Sequence, residues 1–338
     1  MQRFSSKLAL GAIAAATLLA TGAAQADTGK LSLTGGITSI DGAAGGGITP
    51  WATIGTMGNE VGVSAAYSTL TTQDYGLRAY GLAIGINNRA EVSFGRQELD
   101  IGKLALLGGN SLAMNVMGAK IRVAGEAILD SDNLMPQISV GILVKQTLPT
   151  NGPTTTVAAA MTDNTPAPVG INADSVISTL GAKTQGTEYY VSASKLLLNK
   201  GLLLNGTLRY TNANQNGLLG FGSGAGGNNE SRIYPEFSAA YLLSPKLAIG
   251  GEYRFKPNNL EGRGNALKTA LTGTNSNVGN ALGGTSLAED DWKDVFIAYT
   301  PTKNLTLTLA YVDMGRVVSG FTSSKTQQGT FLSAQVAF

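Results

Sequence analysis

Apolar and polar side chains alternate with period two through much of this chain. In 202–211, Leu202, Leu204, Leu208 and Tyr210 share one face and Asn205, Thr207 and Arg209 the other. In 246–256, Leu247, Ile249, Tyr253 and Phe255 oppose Glu252, Arg254 and Lys256. Leu305, Leu307, Leu309 and Tyr311 alternate with Thr306, Thr308 and Ala310, and Val295, Ile297 and Tyr299 with Asp294, Phe296 and Ala298. Such alternation predicts strands, and one side is too polar for strands buried on both faces. After Asp27 no apolar run is long enough for a spanning helix. In hydrocarbon an open sheet edge would leave backbone N–H and C=O groups unpaired, so strands of this kind span only when the sheet closes on itself. The fold class read here is all-β, an antiparallel transmembrane β-barrel.

The links between strands come in two lengths. Short ones fall at Met57-Gly58-Asn59, Asn87-Asn88, Asn199-Lys200-Gly201, Ser244-Pro245-Lys246 and Thr300–Asn304, all rich in turn-forming residues. Long ones, Leu148–Gly186, Asn212–Glu230 and Pro257–Asp291, are rich in Gly, Asn, Thr and Ser. Short turns at one end and long loops at the other are the periplasmic and extracellular asymmetry of an outer-membrane barrel. On that rule the strands fall near 30–36, 49–56, 60–69, 76–86, 89–99, 112–123, 137–147, 187–197, 202–211, 231–243, 246–256, 292–300, 304–313 and 329–338. That is a barrel of about 14 strands with both termini on the periplasmic side. The alternative is 12, with the glycine-rich first hairpin folded inward or left partly unpaired. Ala124–Pro136 is long for a periplasmic link and suits a small helix or a bent turn.

Composition narrows the function. The 338 residues include no Cys and no His, which removes His/Cys zinc sites, thiol chemistry and Ser-His-Asp triads. Charged residues make up 14%, well below the roughly 25% of ordinary soluble domains. A soluble sandwich would alternate too, but its outward faces need more charge than this chain supplies. No dense Lys/Arg stripe appears, so nucleic acid is not an expected partner.

Residues 1–26 have the layout of a cleaved secretory signal peptide: Arg3 and Lys7, an apolar stretch from Leu8 to Ala20, and Ala24-Gln25-Ala26. Residues 27–338 then form one barrel domain, formally neutral once Arg3 and Lys7 are gone. At the other end, Leu332, Ala334, Val336 and Phe338 share one face of the last strand. A terminal outward aromatic resembles the signal that barrel-assembly machinery reads, so Phe338 and Val336 are the expected assembly signal. The partners expected are that machinery, the export machinery, outer-membrane lipid and lipopolysaccharide, and small solutes.

Residues 35–56, GGITSIDGAAGGGITPWATIGT, resemble the opening motif of a proteobacterial family catalogued as domain of unknown function 3034. The resemblance runs through most of the mature chain and implies a Gram-negative outer-membrane protein. It transfers no substrate and no catalytic residue. Read from the residues themselves, Gly42, Gly45, Gly46 and Gly47 allow sharp bends and close backbone approach, and Pro50 starts a descending strand. Trp51 is then an anchor at the outer interface. A direct solute-binding role for Asp41 and this glycine run is the lesser reading.

Tyr210, Tyr241, Tyr253, Tyr299 and Tyr311 lie near strand ends, where aromatic belts straddle lipid and headgroup. Alternation places Glu91, Arg122, Lys145, Glu188, Arg209, Glu236, Glu252, Arg254, Lys256 and Asp294 on inward faces. There they either pair to stiffen the wall or set a field that filters polar solutes. With signs nearly balanced, a passive channel for small polar solutes with weak ion selectivity is the leading expectation. About fourteen strands enclose more space than side chains fill, so water plus an infolded loop, Leu148–Gly186 or Pro257–Asp291, is the expected filling. The apolar Leu99–Gly109 segment suits a short helix or flap and keeps a fatty-acid or hydrocarbon route open. A non-conducting structural or adhesive protein is the third class, favoured by an occluded lumen. No residue group calls for catalysis, a metal or a cofactor.

Overall fold

The computed structural model describes residues 37–55, 61–100, 111–128, 130, 133–148, 173–274, 286–319 and 326–337. Two short strands open the described chain: β1 (Ile37–Thr38) and β2 (Ala44–Gly45) form a small hairpin. The wall follows as β3 (Val61–Thr71), β4 (Gly76–Ile86), β5 (Ala90–Asp100), β6 (Ser111–Ala124), β7 (Gln137–Leu148), β8 (Gln185–Leu197), β9 (Leu202–Thr211), β10 (Arg232–Ser244), β11 (Leu247–Arg254), β12 (Trp292–Thr302), β13 (Leu305–Asp313) and β14 (Gln328–Ala337). Each wall strand pairs antiparallel with its chain neighbour, and β14 returns to β3 from Thr330↔Thr71 to Ala337↔Ser64, closing a 12-strand barrel. Closure leaves no sheet edge, which is what hydrocarbon demands of a spanning sheet.

Side chains are sorted inside out. Ile249, Ile297, Leu309 and Leu332 stand in register on four adjacent strands and form an exposed apolar row. Their chain neighbours Ala248, Ala298, Thr308 and Ser333 are buried on the inner side. Leu247, Ile249, Tyr253 and Phe255, the test case for a water-surrounded core, do not pack inside one; the last three are exposed on the outer face. The rings of Tyr210, Tyr241, Tyr253, Tyr299 and Tyr311 also face outward. Tyr241 and Tyr299 lie near the short turns, and the other three near the long loops.

Local chemistry fixes the turns. Asn87 and Asn88 both take positive φ, 52° and 47°, and Arg89 N–H donates to Ile86 C=O at 2.9 Å. Two left-handed central residues are what a tight hairpin following right-twisted strands needs, and Asn tolerates them. Gly201, at φ 60°, closes the β8–β9 turn. At the long-loop end, α1 (Ala173–Leu180) packs with α2 (Gly264–Thr274).

Two expectations need correction. The wall has 12 strands, the stated alternative, because 49–56 is not a wall strand: residues 49–55 run inside the barrel. The expected strand 30–36 and the turn at Met57-Gly58-Asn59 lie outside the described residues. An infolded turn comes from Asn212–Glu230, which was not among the loops expected to fill the lumen: Asn214, Gln215 and Asn216 are buried in a tight left-handed turn. Of the two that were, residues 149–172 and 275–285 lie outside the described residues, and Glu289 of the second is buried against Lys256. Ala124–Pro136 forms no helix in its described part; Gly125 bends it at φ 67°, and Lys195 Nζ donates to the Glu126 and Asp130 carbonyls.

Placing a charge in the apolar row tests the sorting. Ile297→Arg should destabilise the folded barrel by ~2–4 kcal/mol, the cost of a cation on a lipid face at mid-membrane depth. Thr308→Ser, facing inward, should fold as the parent does, both read from urea titrations of folding into lipid vesicles.

Candidate functional site in the barrel lumen

Residues 39–55 thread the lumen as an internal segment pressed against the wall. Gly42 takes φ +87°, and a Cβ there would sit 2.6 Å from the Phe94 carbonyl oxygen of β5. At Gly46 a Cβ would overlap the Glu252 carboxylate at 1.6 Å. Only glycine lets the backbone come this near. The role read for these glycines, close approach, is the one observed, but they bring a plug rather than a wall strand to the sheet.

Trp51 corrects the outer-anchor expectation. It is 1% exposed in the lumen, and its Nε1–H donates to Ser238 Oγ at 3.1 Å. The misplacement follows from treating 49–56 as wall; once that stretch lies inside, the indole goes with it. Its neighbour Ala52 ties the segment to two strands, β7 and β8. Ala52 N–H donates to Ser194 Oγ at 2.8 Å, while its C=O accepts from Gln137 Nε2 and Ser139 Oγ, each at 2.5 Å.

Charged groups hold the segment at three heights. Near the short turns, Lys120 donates to the carbonyls of Ala44, Trp51 and Thr53 at 2.9, 3.1 and 2.7 Å and lies 3.3 Å from Glu91. Glu91 also accepts from the N–H groups of Ala44 and Gly55, both at 2.9 Å. Midway, Glu252 accepts from Ile48 N–H at 2.7 Å, Thr49 Oγ1 at 2.7 Å and Ser238 Oγ at 2.8 Å. Asp294 stands opposite Glu252 in register, its Oδ1 without a partner among the described residues.

Toward the long loops the network centres on Asp41. Its Oδ1 meets Lys145 Nζ at 3.0 Å, Asn216 Nδ2 at 2.9 Å and Gln97 Nε2 at 3.2 Å; its Oδ2 meets Arg209 Nη1 at 3.3 Å and Arg254 Nη1 at 3.6 Å. Burial would raise this carboxyl, but Lys145, Arg254 and Arg209, with the Asn216 amide, hold it well below the usual carboxylate range. Glu188 accepts from Lys145 at 2.9 Å and Arg209 at 2.8 Å; Glu236 takes Arg209 at 2.5 Å and lies 3.3 Å from Arg254. Above them Lys256 lies 3.1 Å from Glu289 and 4.2 Å from the Trp292 ring centre. Burial pushes the Lys256 amine down and the Glu289 carboxyl up, each partly countered by the other.

The ten residues expected on inward faces therefore fall as follows. Glu91, Lys145, Glu188, Arg209, Glu236, Glu252, Arg254, Lys256 and Asp294 are all in the lumen and no more than 8% exposed. Arg122 is half-buried at the short-turn end, paired with Glu126. Phe338 lies outside the described residues, and Val336 pairs with Leu305 and Ala65 on the half-exposed outer side. Of the Leu99–Gly109 segment, Leu99 and Asp100 end β5 and the remainder lies outside the described residues. Sequence reasoning missed Lys120, although it shares a face with Arg122 on the expected strand 112–123. It also missed Gln97, which shares a face with Glu91 on the expected strand 89–99, and Gln215, Asn216 and Glu289, for which loop composition carries no signal.

Removing Lys120 is the sharpest local test. Lys120→Met strands Glu91 and three carbonyls, a loss of about 3–5 kcal/mol for a broken buried pair. The barrel should still close while cleavage within 37–55 by added protease rises in the folded, vesicle-embedded chain.

Residues 34–335 match the family model described as "Protein of unknown function (DUF3034)". The chain belongs to that family. No curated protein matches it in sequence. Among solved structures it is similar to the KdgM porin, at 10% identity and TM-score 0.43, covering 81% of this chain and 99% of that one. It is also similar to an outer-membrane channel from Pseudomonas putida F1, at 12% identity and TM-score 0.44, covering 86% and 98%. A third, the outer-membrane phospholipase A from Escherichia coli, stands at 8% identity and TM-score 0.37, covering 81% and 95%.

Proposed function

We propose that this family member is an integral outer-membrane barrel, exported by a cleaved signal peptide, that serves as a non-catalytic channel for small polar solutes and is closed here by its own residues 37–55. The apolar outer face supports the membrane setting. Arg78, Arg96 and Lys293, the last two paired with Glu98 and Asp313, lie among the outer charges near the long-loop end, at the level where lipid headgroups and lipopolysaccharide phosphates lie. Phe338 is the assembly signal in this reading, and the lumenal charges of both signs give weak ion selectivity.

One observation carries the channel reading: beside an apolar cluster that takes in Ile40, Ile48 and Trp51, the filling of the barrel is held by ionic and hydrogen-bonded contacts at three heights. A core meant to stay shut is most simply packed with hydrocarbon. Here the segment, besides burying Ile40, Ile48 and Trp51, meets the wall through carbonyls, hydroxyls, carboxylates and ammonium groups, which water can solvate once the segment moves. The same filling favours a second reading, a non-conducting structural or adhesive barrel, because the described lumen charges are almost wholly buried.

A disulfide tether separates the two. The chain has no cysteine, so Ala52→Cys with Ser194→Cys places a single bridge where the segment touches β8. In planar bilayers the reduced protein should show discrete conductance steps, oxidation should silence them, and reductant should restore them. Steps indifferent to oxidation would remove residues 37–55 as the gate. A correctly folded barrel with no steps in either state would leave the structural reading.

A further inference from the structure

The Asp41 cluster is built from two sources, and the charges divide unevenly between them. The wall contributes Lys145 from β7, Arg209 from β9 and Arg254 from β11, against Glu188 and Glu236. Within this cluster, apart from the hydrogen-bonded Glu252 and the Asp294 beside it, that leaves the wall one positive charge in excess at a place where Lys145 and Arg209 are 0% and 1% exposed. The nearby Lys256 is matched by Glu289 and does not alter the balance. Neutrality is completed by a carboxylate from elsewhere in the chain, Asp41, and a buried uncompensated cation is costly without it.

The five groups around that carboxylate are all donors. Lys145, Gln97 and Asn216 serve one oxygen, and Arg209 and Arg254 serve the other. Such an arrangement suits a planar, two-oxygen monoanion approached from both sides. A dianion would overshoot the single excess charge, and a neutral amide would bring N–H groups to donors.

We infer that Lys145, Arg209 and Arg254, with Gln97 and Asn216, form a carboxylate-binding site in the lumen, that Asp41 occupies it as a built-in surrogate, and that a small monocarboxylate solute displaces Asp41 and releases the segment. This takes the channel and its removable segment as given, and it names the solute class and the trigger. A ligand that binds only the released state shifts the closed–open balance by its differential affinity.

Ser39 provides the readout. It lies two residues from Asp41, is 4% exposed, and its Oγ has no partner among the described residues, so Ser39→Cys is a mild change and the only thiol in the chain. The folded full-length variant in lipid vesicles is treated with a water-soluble maleimide in sodium acetate, acetamide or sodium chloride at matched ionic strength. Acetate should speed labelling roughly tenfold over acetamide and chloride, a population shift of about 1.4 kcal/mol. Adding Asp41→Asn should give the fast rate without acetate, folding being checked by heat-dependent gel migration. Equal rates in acetate and acetamide would overturn the site, as would acceleration by chloride equal to that by acetate, or a folded Asp41→Asn variant that labels at the parent rate. The acetate comparison needs only Ser39→Cys, so it decides the matter if Asp41→Asn does not fold. Acetate-dependent labelling without conductance would uphold the site and remove the channel; conductance with labelling indifferent to acetate would do the reverse.

Discussion

The charges turned inward by these strands lie where water scarcely reaches, and ions taken from water cost several kcal/mol each unless they find partners. The wall cannot meet that demand by itself. Lys120 needs three carbonyls from the internal segment, Glu252 needs the Ile48 N–H and the Thr49 hydroxyl, and Lys145 needs Asp41 and Asn216. The path of residues 39–55 and the tight turn at Asn214–Gly217 follow from this. Both are the nearest lengths of chain able to bring backbone and side-chain polar groups to wall charges that would otherwise be buried alone.

The wall was legible because its physics is periodic. Of the twelve wall strands, 76–86 and 202–211 carry the boundaries that alternation sets, and the others shift by one to two residues at an end, as frayed strand ends do. Asn87-Asn88 announced its hairpin because few residues accept positive φ twice in succession. The interior was legible only as half of a set of contacts. Alternation identified Arg209 and Glu236 as inward, but Asp41, a further carboxylate on Arg209, sits in a glycine-rich stretch with no period, 168 residues before it. Trp51 shows how one wrong assignment propagates: a strand drawn at 49–56 sends its indole to lipid, whereas the hydrogen bond to Ser238 needs it in the lumen.

Glycine and asparagine explain why the rest could not be read. In Gly42 and Gly46 the informative property is an absent Cβ, and what that absence accommodates, the Phe94 carbonyl or the Glu252 carboxylate, is set by the partner strand rather than by local sequence. Asn216 is informative in the opposite way. Its amide donates to Asp41 while its carbonyl oxygen accepts from Lys145 and Arg254 at 2.7 Å each, a double role that polar loop composition does not distinguish from ordinary solvation.

A polar filling also separates the stability of the wall from that of its contents. Closure of the sheet depends on backbone hydrogen bonds and an apolar exterior, neither of which involves residues 39–55. The segment is held by the burial of Ile40, Ile48, Trp51 and Ile54 and by ion pairs and hydrogen bonds whose net worth against water is small even though breaking one partner alone is costly. Concerted release into water therefore opposes chiefly that apolar burial, while loss of a single polar partner leaves a stranded charge. The segment thus gains a sharp preference between fully seated and fully released, and the carboxylate at Asp41, shared by four strands, is where a competing anion acts on that preference most directly.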